Sequence, residues 1–340
     1  MEGLPGINSE NKSHSLILLS IQCDIEVNVM IEVTSLFAVY LAIFLFGMIV
    51  MRTGLYNLSK EKIRVSLLRF TSSPIKGLFV GTMITAILQS SSAVTVITIG
   101  LVATGYMTFK QSIGIILGTN IGTTFTTELI TFNINELIVP LLLLGTILIF
   151  SSKRSLFSIG ALLFGLGSLF VAMNGFEQLA EPLSIIPVVH TFLEYTNQSE
   201  LLGIGVGTII TAIIQSSTAT TGIIMGFMNE NILSLQSGIA ILLGANIGTC
   251  ITAFLASIGS THEAKLTAYA HIWINILGVL LFYPFIRNLG ALASLFTSLP
   301  DVQLAHVSLI FNVLSSLIAL PLTGLLAAFI LKIHGQKNVV

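Results

Sequence analysis

Charge is scarce in this sequence of 340 residues: Lys, Arg, Asp and Glu make up 9% of it, against about 25% in an average soluble chain. The two signs nearly cancel, at a formal net charge of −1, which leaves no electrostatic footprint for nucleic acid. Cysteine is almost absent. Cys23 and Cys250 stand far apart, which argues against a disulfide framework and a cysteine metal site. There is no long polar segment to build a soluble domain. Residues 1–29 hold a short apolar patch at Leu16–Ile21, too short for a membrane span, and lack a clear n-region and cleavage site. They read as part of a loose tail over 1–31, or as residues ahead of a true start at Met30. What is abundant is apolar: 54% of residues are hydrophobic and the mean hydropathy is +0.96. The implied class is an all-α polytopic membrane protein.

Inside this apolar chain a polar cluster occurs twice. Ile84-Thr85-Ala86-Ile87-Leu88-Gln89-Ser90-Ser91-Ser92-Ala93 returns as Ile210-Thr211-Ala212-Ile213-Ile214-Gln215-Ser216-Ser217-Thr218-Ala219, an offset of 215 − 89 = 126. At the same offset Gly118-Thr119-Asn120-Ile121-Gly122-Thr123 matches Gly244-Ala245-Asn246-Ile247-Gly248-Thr249. A duplicated set of Gln, Ser, Thr and Asn at membrane depth is the sequence sign of a transporter with internal repeats.

A span needs about 20 apolar residues. Such stretches lie near 32–51, 107–131, 136–151, 155–173, 236–258, 266–286 and 304–331. Two further stretches, 76–104 and 202–228, carry the Gln-Ser-Ser clusters in their middles and are too long for one straight crossing. They read as re-entrant helical hairpins with the cluster at the tip. Arg52, Lys60, Lys62, Arg64, Arg69 and Lys76 place the loop after the first span in the cytoplasm. With 76–104 entering and returning, Lys153 and Arg154 also fall inside, and the Glu-rich loop 174–200, free of Lys and Arg, falls outside. Three crossings then separate the hairpins, so the second copy is inverted. Gly54–Leu58 against Gly175–Leu179 extends the repeat more weakly, and 57–75 and 176–199 read as interfacial segments. The expected organisation is a first repeat over 32–151, an inverted second repeat over 155–287, a final span over 304–332 and a cytoplasmic tail over 333–340. The N-terminus lies outside, and each repeat has a hairpin and a span broken at Gly118/Gly122 or Gly244/Gly248.

Chemically, hairpin tips free backbone groups. Helix N-termini starting near Ala93 and Ala219 suit an anion, while carbonyls and the oxygens of Ser, Thr, Gln and Asn suit Na⁺. Neither tip contains Arg, Lys, Asp or Glu, so an anion is expected to be held by dipoles, hydroxyls and co-bound Na⁺ rather than by a guanidinium. A proton relay needs intramembrane carboxylates or histidine. Glu128 is the one acidic candidate in the two Asn-Ile-Gly-Thr spans, either snorkelling to the interface or coupling ions. His271 with Asn275, and His306 with Asn312, read as helix-to-helix hydrogen bonding.

The doubled motif resembles the type II Na⁺/phosphate cotransporter family. Phe44-Leu45-Phe46-Gly47-Met48 followed by Gly54-Leu55, and the Ala-His…Asn pairs near 271 and 306, are similar to that family's opening and closing spans. The resemblance covers about residues 32–330. It implies Na⁺-driven transport of inorganic phosphate by alternating access. Gln89, Ser90, Ser91, Ser92, Gln215, Ser216, Ser217 and Thr218 would contact phosphate. Ser91, Ser92, Asn120, Thr123, Thr124, Ser217, Thr218, Asn246 and Thr249 would supply oxygens to Na⁺. Many bacterial members continue into a regulatory domain resembling the phosphate-signalling protein PhoU, and this sequence ends at Val340 without one. Thr119 stands where the second copy has Ala245, and Glu128 departs from the uncharged residue expected there.

No catalytic residue or cofactor is expected, with Na⁺ as coupling ion. Expected partners are inorganic phosphate, Na⁺ and the lipid bilayer of the inner (plasma) membrane; a homodimer is compatible. The competing readings are a transporter of another small anion, sulfate or carboxylate, and a channel or membrane-embedded enzyme. The last would need His271 or His306 to approach the tip serines.

Overall fold

In the computed structural model every regular element is helical among the described residues. The structure describes the backbone of residues 9–69 and 73–335, with side chains 9–26, 61, 62, 64, 65 and 67–69 left aside. Five helical stretches are long and apolar enough to cross a bilayer: Val27–Lys60, Arg154–Ser184, Leu235–Ser257, His262–Ser294 and Pro300–His334. Large apolar side chains on their outer faces, such as Phe46, Leu277 and Leu325, are exposed, as in a molecule whose solvent is lipid.

The first helix, α1, runs from Ser9 to Arg69 without interruption. The tail expected to be loose is therefore helical from Ser9. The interfacial segment expected at 57–75 is, up to Arg69, a continuation of the same helix; its charges ride on the end of a long rod. Residues 1–8, the last residues of the 333–340 tail and the joint at 70–72 lie outside the described residues.

Ser73 caps α2 (Pro74–Leu88), with Pro74 in the first turn, where its missing N–H costs nothing. Then come α3 (Ser91–Ala103) and α4 (Phe109–Leu129), the latter started by a Thr108–Gln111 capping box. α5 (Asn135–Ile149) and α6 (Arg154–Ser184) follow, then the short α7 (Pro187–Gln198). The second unit repeats the first: Ser199 caps α8 (Glu200–Ile214), Ser216 caps α9 (Ser217–Asn229), and Ser234 caps α10 (Leu235–Gly248), which leads into α11 (Cys250–Ser257). The chain closes with α12 (His262–Phe282), α13 (Ile286–Ser294), α14 (Pro300–Ala319) and α15 (Thr323–His334), with 3-10 turns at Tyr283–Phe285 and Leu320–Leu322.

Glycine sets how these helices pack. A Cβ on Gly118 would lie 2.1 Å from the Leu78 carbonyl oxygen, and one on Gly244 2.0 Å from that of Ile204. Each pair of contacts is the other shifted by 126. The same holds for Thr82, whose hydroxyl lies 2.9 Å from the Leu78 oxygen and 3.2 Å from that of Gly118, and for Thr208 on Ile204 and Gly244 at 2.8 and 3.1 Å. The repeat is thus a repeat of atomic contacts. The expected break in the first copy is corrected, because α4 passes Gly118 and Gly122 unbroken; in the second copy α10 ends at Gly248 and α11 starts at Cys250, with Thr249 between them still near helical at φ −60°, ψ −23°. These glycines bring backbones together, and of the four only Gly248 stands at a helix end.

The same contacts fix direction. Gly114 faces Pro74, Gly118 faces Leu78 and Gly122 faces Thr85, so α2 and α4 run side by side the same way. α3, between them in sequence, therefore carries the chain back. α8, α9 and α10 repeat this path, with Gly244 against Ile204 and Gly248 against Thr208. α1 and α6 run opposite ways: Gly47 meets Ser168, and Gly54 meets Ser158. Phe44, Met48, Met51, Leu169 and Phe176 fill the seam between them.

Candidate functional site

The two turns that reverse the chain, α2 to α3 and α8 to α9, have one geometry. Gln89 and Gln215 sit in the left-handed region at φ 54° and φ 57°, a conformation that costs a side-chain-bearing residue about 1–2 kcal/mol. Their amides donate to the Thr85 and Thr211 carbonyls at 2.7 Å each. The next residues, Ser90 and Ser216, are extended N-caps whose hydroxyls accept from the amides of Ala93 (3.1 Å) and Ala219 (3.2 Å). The first amides of α3 and α9, those of Ser91, Ser92, Ser217 and Thr218, have no intrahelical acceptor. Their hydroxyls make no hydrogen bond to another described residue.

Both turns line one cavity of about 40 Å³, with Thr123 and Thr249 and one further residue, Arg52. That is room for about three water-sized groups. Every lining side chain is polar, and no carboxylate lines it. The eight tip residues are therefore brought together around one cavity. The cation candidates divide. Thr123 and Thr249 reach the cavity; their hydroxyls donate to the carbonyls of Thr119 (2.9 Å) and Ala245 (2.8 Å), which leaves their lone pairs as acceptors. Asn120, Thr124 and Asn246 do not line it. Asn120 Nδ2 donates to the side-chain Oδ1 of Asn275 at 3.0 Å, Thr124 to the backbone carbonyl of Ile121 and Asn246 to that of Leu242. α12 thus takes up the asparagine of the first copy, and Asn275 passes the bond on to Cys250 Sγ and the His271 carbonyl.

Arg52 corrects the sequence reading most. Counted there as a cytoplasmic loop charge, it lies inside α1 and sends its guanidinium into the cavity, where Nε donates to the Gln89 carbonyl at 2.8 Å. The two tips themselves carry no charge, but the cavity between them is lined by a guanidinium from outside both. The signal that could have found it is its place one residue past Met51, at the end of an apolar run and followed by the uncharged Thr53, Gly54 and Leu55: an arginine so placed turns inward.

The tips are not equally enclosed. Ser90 and Ser91 are each 8% exposed, Gln89 is partly buried, and Gln215 is exposed. Gln89 Nε2 donates to the Ala86 carbonyl, while its Oε1 is buried with no protein donor. Glu128 lies outside the cavity and pairs with His306 Nδ1 of α14 at 3.1 Å. Neither His271 nor His306 lines the cavity.

A helical membrane protein with a duplicated, carboxylate-free polar turn around one cavity has the architecture of a secondary transporter. Comparison with known proteins gives the particular family: the Na+/Pi-cotransporter family model matches residues 43–178 and 185–305, and the chain belongs to that family. It is similar to "Uncharacterized protein YqeW" of Bacillus subtilis (strain 168), 41% identical over 85% of this chain and 94% of that protein. It is also similar to "Putative inorganic phosphate export protein YjbB" of Escherichia coli (strain K12), 24% identical over 85% of this chain and 53% of that protein. A 37% share of the chain is 29% identical to 20% of human "Sodium-dependent phosphate transport protein 2B". The chain thus spans about half the length of the E. coli relative. No solved structure matches it.

Proposed function

We propose that the protein moves inorganic phosphate across the cell membrane, coupled to Na⁺, by alternating access at the cavity between the two Gln-Ser-Ser turns. The observation that carries this is the meeting of both copies in one polar, carboxylate-free cavity. Two helix N-termini offer it bare amides and hydroxyls, a donor set for an oxyanion. The Thr123 and Thr249 lone pairs and the unpartnered Gln89 oxygen are the matching acceptors for Na⁺. Relatives named for phosphate export and for sodium-dependent phosphate transport support the same cargo; net direction then follows the gradients.

In this reading α2–α3 and α8–α9 are re-entrant hairpins, the first from the cytoplasm and the second from outside. The inversion is supported by the antiparallel seam of α1 with α6. Gly47 meets Ser168, its own equivalent in the register that aligns Gly54–Leu58 with Gly175–Leu179, as at the crossing point of two inverted copies. Both the final helix and Lys332 then end at the cytoplasmic face.

Proteoliposomes with an inward Na⁺ gradient should accumulate radiolabelled phosphate, and those with an equal K⁺ gradient should not. Sulfate or carboxylate accumulating in place of phosphate would overturn the cargo assignment. Single cysteines at 153 or 154 should label only from the cytoplasm, and those in 185–195 only from outside; the reverse pattern would overturn the hairpin topology.

A further inference from the structure

We propose that Arg52 is the residue that fixes the charge of the cargo: Nη1 and Nη2 of its guanidinium grip the transported oxyanion while Nε stays on the Gln89 carbonyl. The inference rests on the anion-transport reading above and adds to it a ligand from outside both repeated motifs.

Two independent observations carry it. The first is placement. Arg52 lines the tip cavity from within an apolar helical stretch, Val27–Lys60, where a cation is costly unless it is paired or faces a functional cavity. The second is its bonding. The one hydrogen bond the guanidinium makes among the described residues is from Nε to the Gln89 oxygen. The ion pairs among them, Arg287–Glu200 and His306–Glu128, leave Arg52 without a carboxylate, and no acid lines the cavity. A guanidinium stays charged, and its free edge presents two parallel N–H groups that match an oxyanion bidentately.

This arrangement divides the work. The tip amides and hydroxyls are neutral donors, which read shape. Arg52 supplies the fixed positive charge that Na⁺ would otherwise have to bring. Because the same guanidinium holds the Gln89 carbonyl, anion binding and the geometry of the first turn are linked through one side chain. The second repeat has no matching cation: Met173 stands at the aligned position of α6. The two tips therefore differ in role, Gln89–Ser92 meeting the anion beside Arg52 and Gln215–Thr218 closing on it from the more open side.

The test compares Arg52→Gln and Arg52→Lys with the wild-type protein in proteoliposomes, reading phosphate KM and kcat separately. Arg52→Gln should raise KM for phosphate by about 10- to 100-fold, the loss of one charge-assisted contact. Arg52→Lys, which keeps the charge but not the fork, should lie between it and the wild type. An unchanged KM in Arg52→Gln, or an equal loss of kcat alone in both variants, would reduce Arg52 to a structural latch and overturn the proposal. A second measurement needs no variant. Phenylglyoxal modification of the wild-type protein, mapped by mass spectrometry, should be slowed by phosphate at Arg52 and not at the exposed Arg287. Equal rates with and without phosphate would also overturn it. If the wild-type protein moves no phosphate, the same protection is measured with sulfate and succinate. Protection of Arg52 by either upholds its role and overturns only the phosphate reading; protection by none overturns the role too.

Discussion

Replacing Gln89 or Gln215 with glycine is expected to cut phosphate uptake by about 10- to 100-fold, the loss of one polar contact to a charged ligand, while the protein stays at least as stable as before. The two effects separate because the backbone and the side chain at these positions do different things. Both residues hold a left-handed backbone, φ 54° and φ 57°, which glycine adopts freely, so the substitution relieves about 1 kcal/mol of strain. At Gln89 it also removes a buried oxygen with no protein donor, a group that costs about 1–3 kcal/mol when left unsatisfied. A fold selected for stability alone would have glycine in both turns. Side chains kept there against that cost point to a ligand. Alanine at the same positions keeps the backbone cost and loses the amide, so it should match glycine in uptake and fall below it in stability. The measurements are initial uptake rates in proteoliposomes and thermal unfolding of the purified protein. Glycine variants that transport at the wild-type rate would show that the turn needs only its backbone shape, and the site would have to be rebuilt from the serines and Arg52.

Why some of this was legible in the sequence and some was not follows from what each feature depends on. The duplicated turns were readable because a gap-free repeat of ten residues and then six, at one offset, reports a repeated environment without any knowledge of packing. The left-handed Gln89 and Gln215 were not, because nothing local marks them: neither is Gly, Asn or Asp, the residues that advertise that conformation. Gly118 and Gly122 were read as helix breakers, because an isolated helical glycine is worth about 1 kcal/mol less than alanine. That cost is offset here by a facing carbonyl that no side chain could admit, which is tertiary information. The length of α1 was missed for a related reason: Lys60, Arg64 and Arg69 read as the edge of a membrane, whereas they lie on a helix that simply continues. Arg52 was counted with them. The uncharged residues on either side set it apart from that run, but the contact its guanidinium makes, with the carbonyl of Gln89, is tertiary information.

Alanine at Gly118 or Gly244 is expected to destabilise the protein by about 3 kcal/mol, at the upper end of the range for overpacking, whereas alanine at Gly100, Gly205 or Gly324 should cost nothing. All five residues are helical glycines, and intrinsic propensity favours alanine at each by up to about 1 kcal/mol. What differs is the space. A Cβ at Gly118 or Gly244 would sit 2.1 or 2.0 Å from a backbone oxygen of the neighbouring parallel helix, far inside contact distance. A backbone carbonyl cannot rotate away as a side chain can, so relief requires α2 to part from α4, or α8 from α10. That movement would also break the bonds of Thr82 and Thr208 across the same seams, and it would displace the turns at Gln89 and Gln215 that those helices carry. At Gly100, Gly205 and Gly324 nothing lies within 4 Å of the added carbon. Thermal unfolding in detergent, followed by tryptophan fluorescence or by loss of the monodisperse peak, separates the two groups. Gly118→Ala or Gly244→Ala unfolding with the wild-type protein would mean that the parallel pairs are looser than these contacts imply. The cavity would then be shaped by something other than the glycine seams of the two repeats.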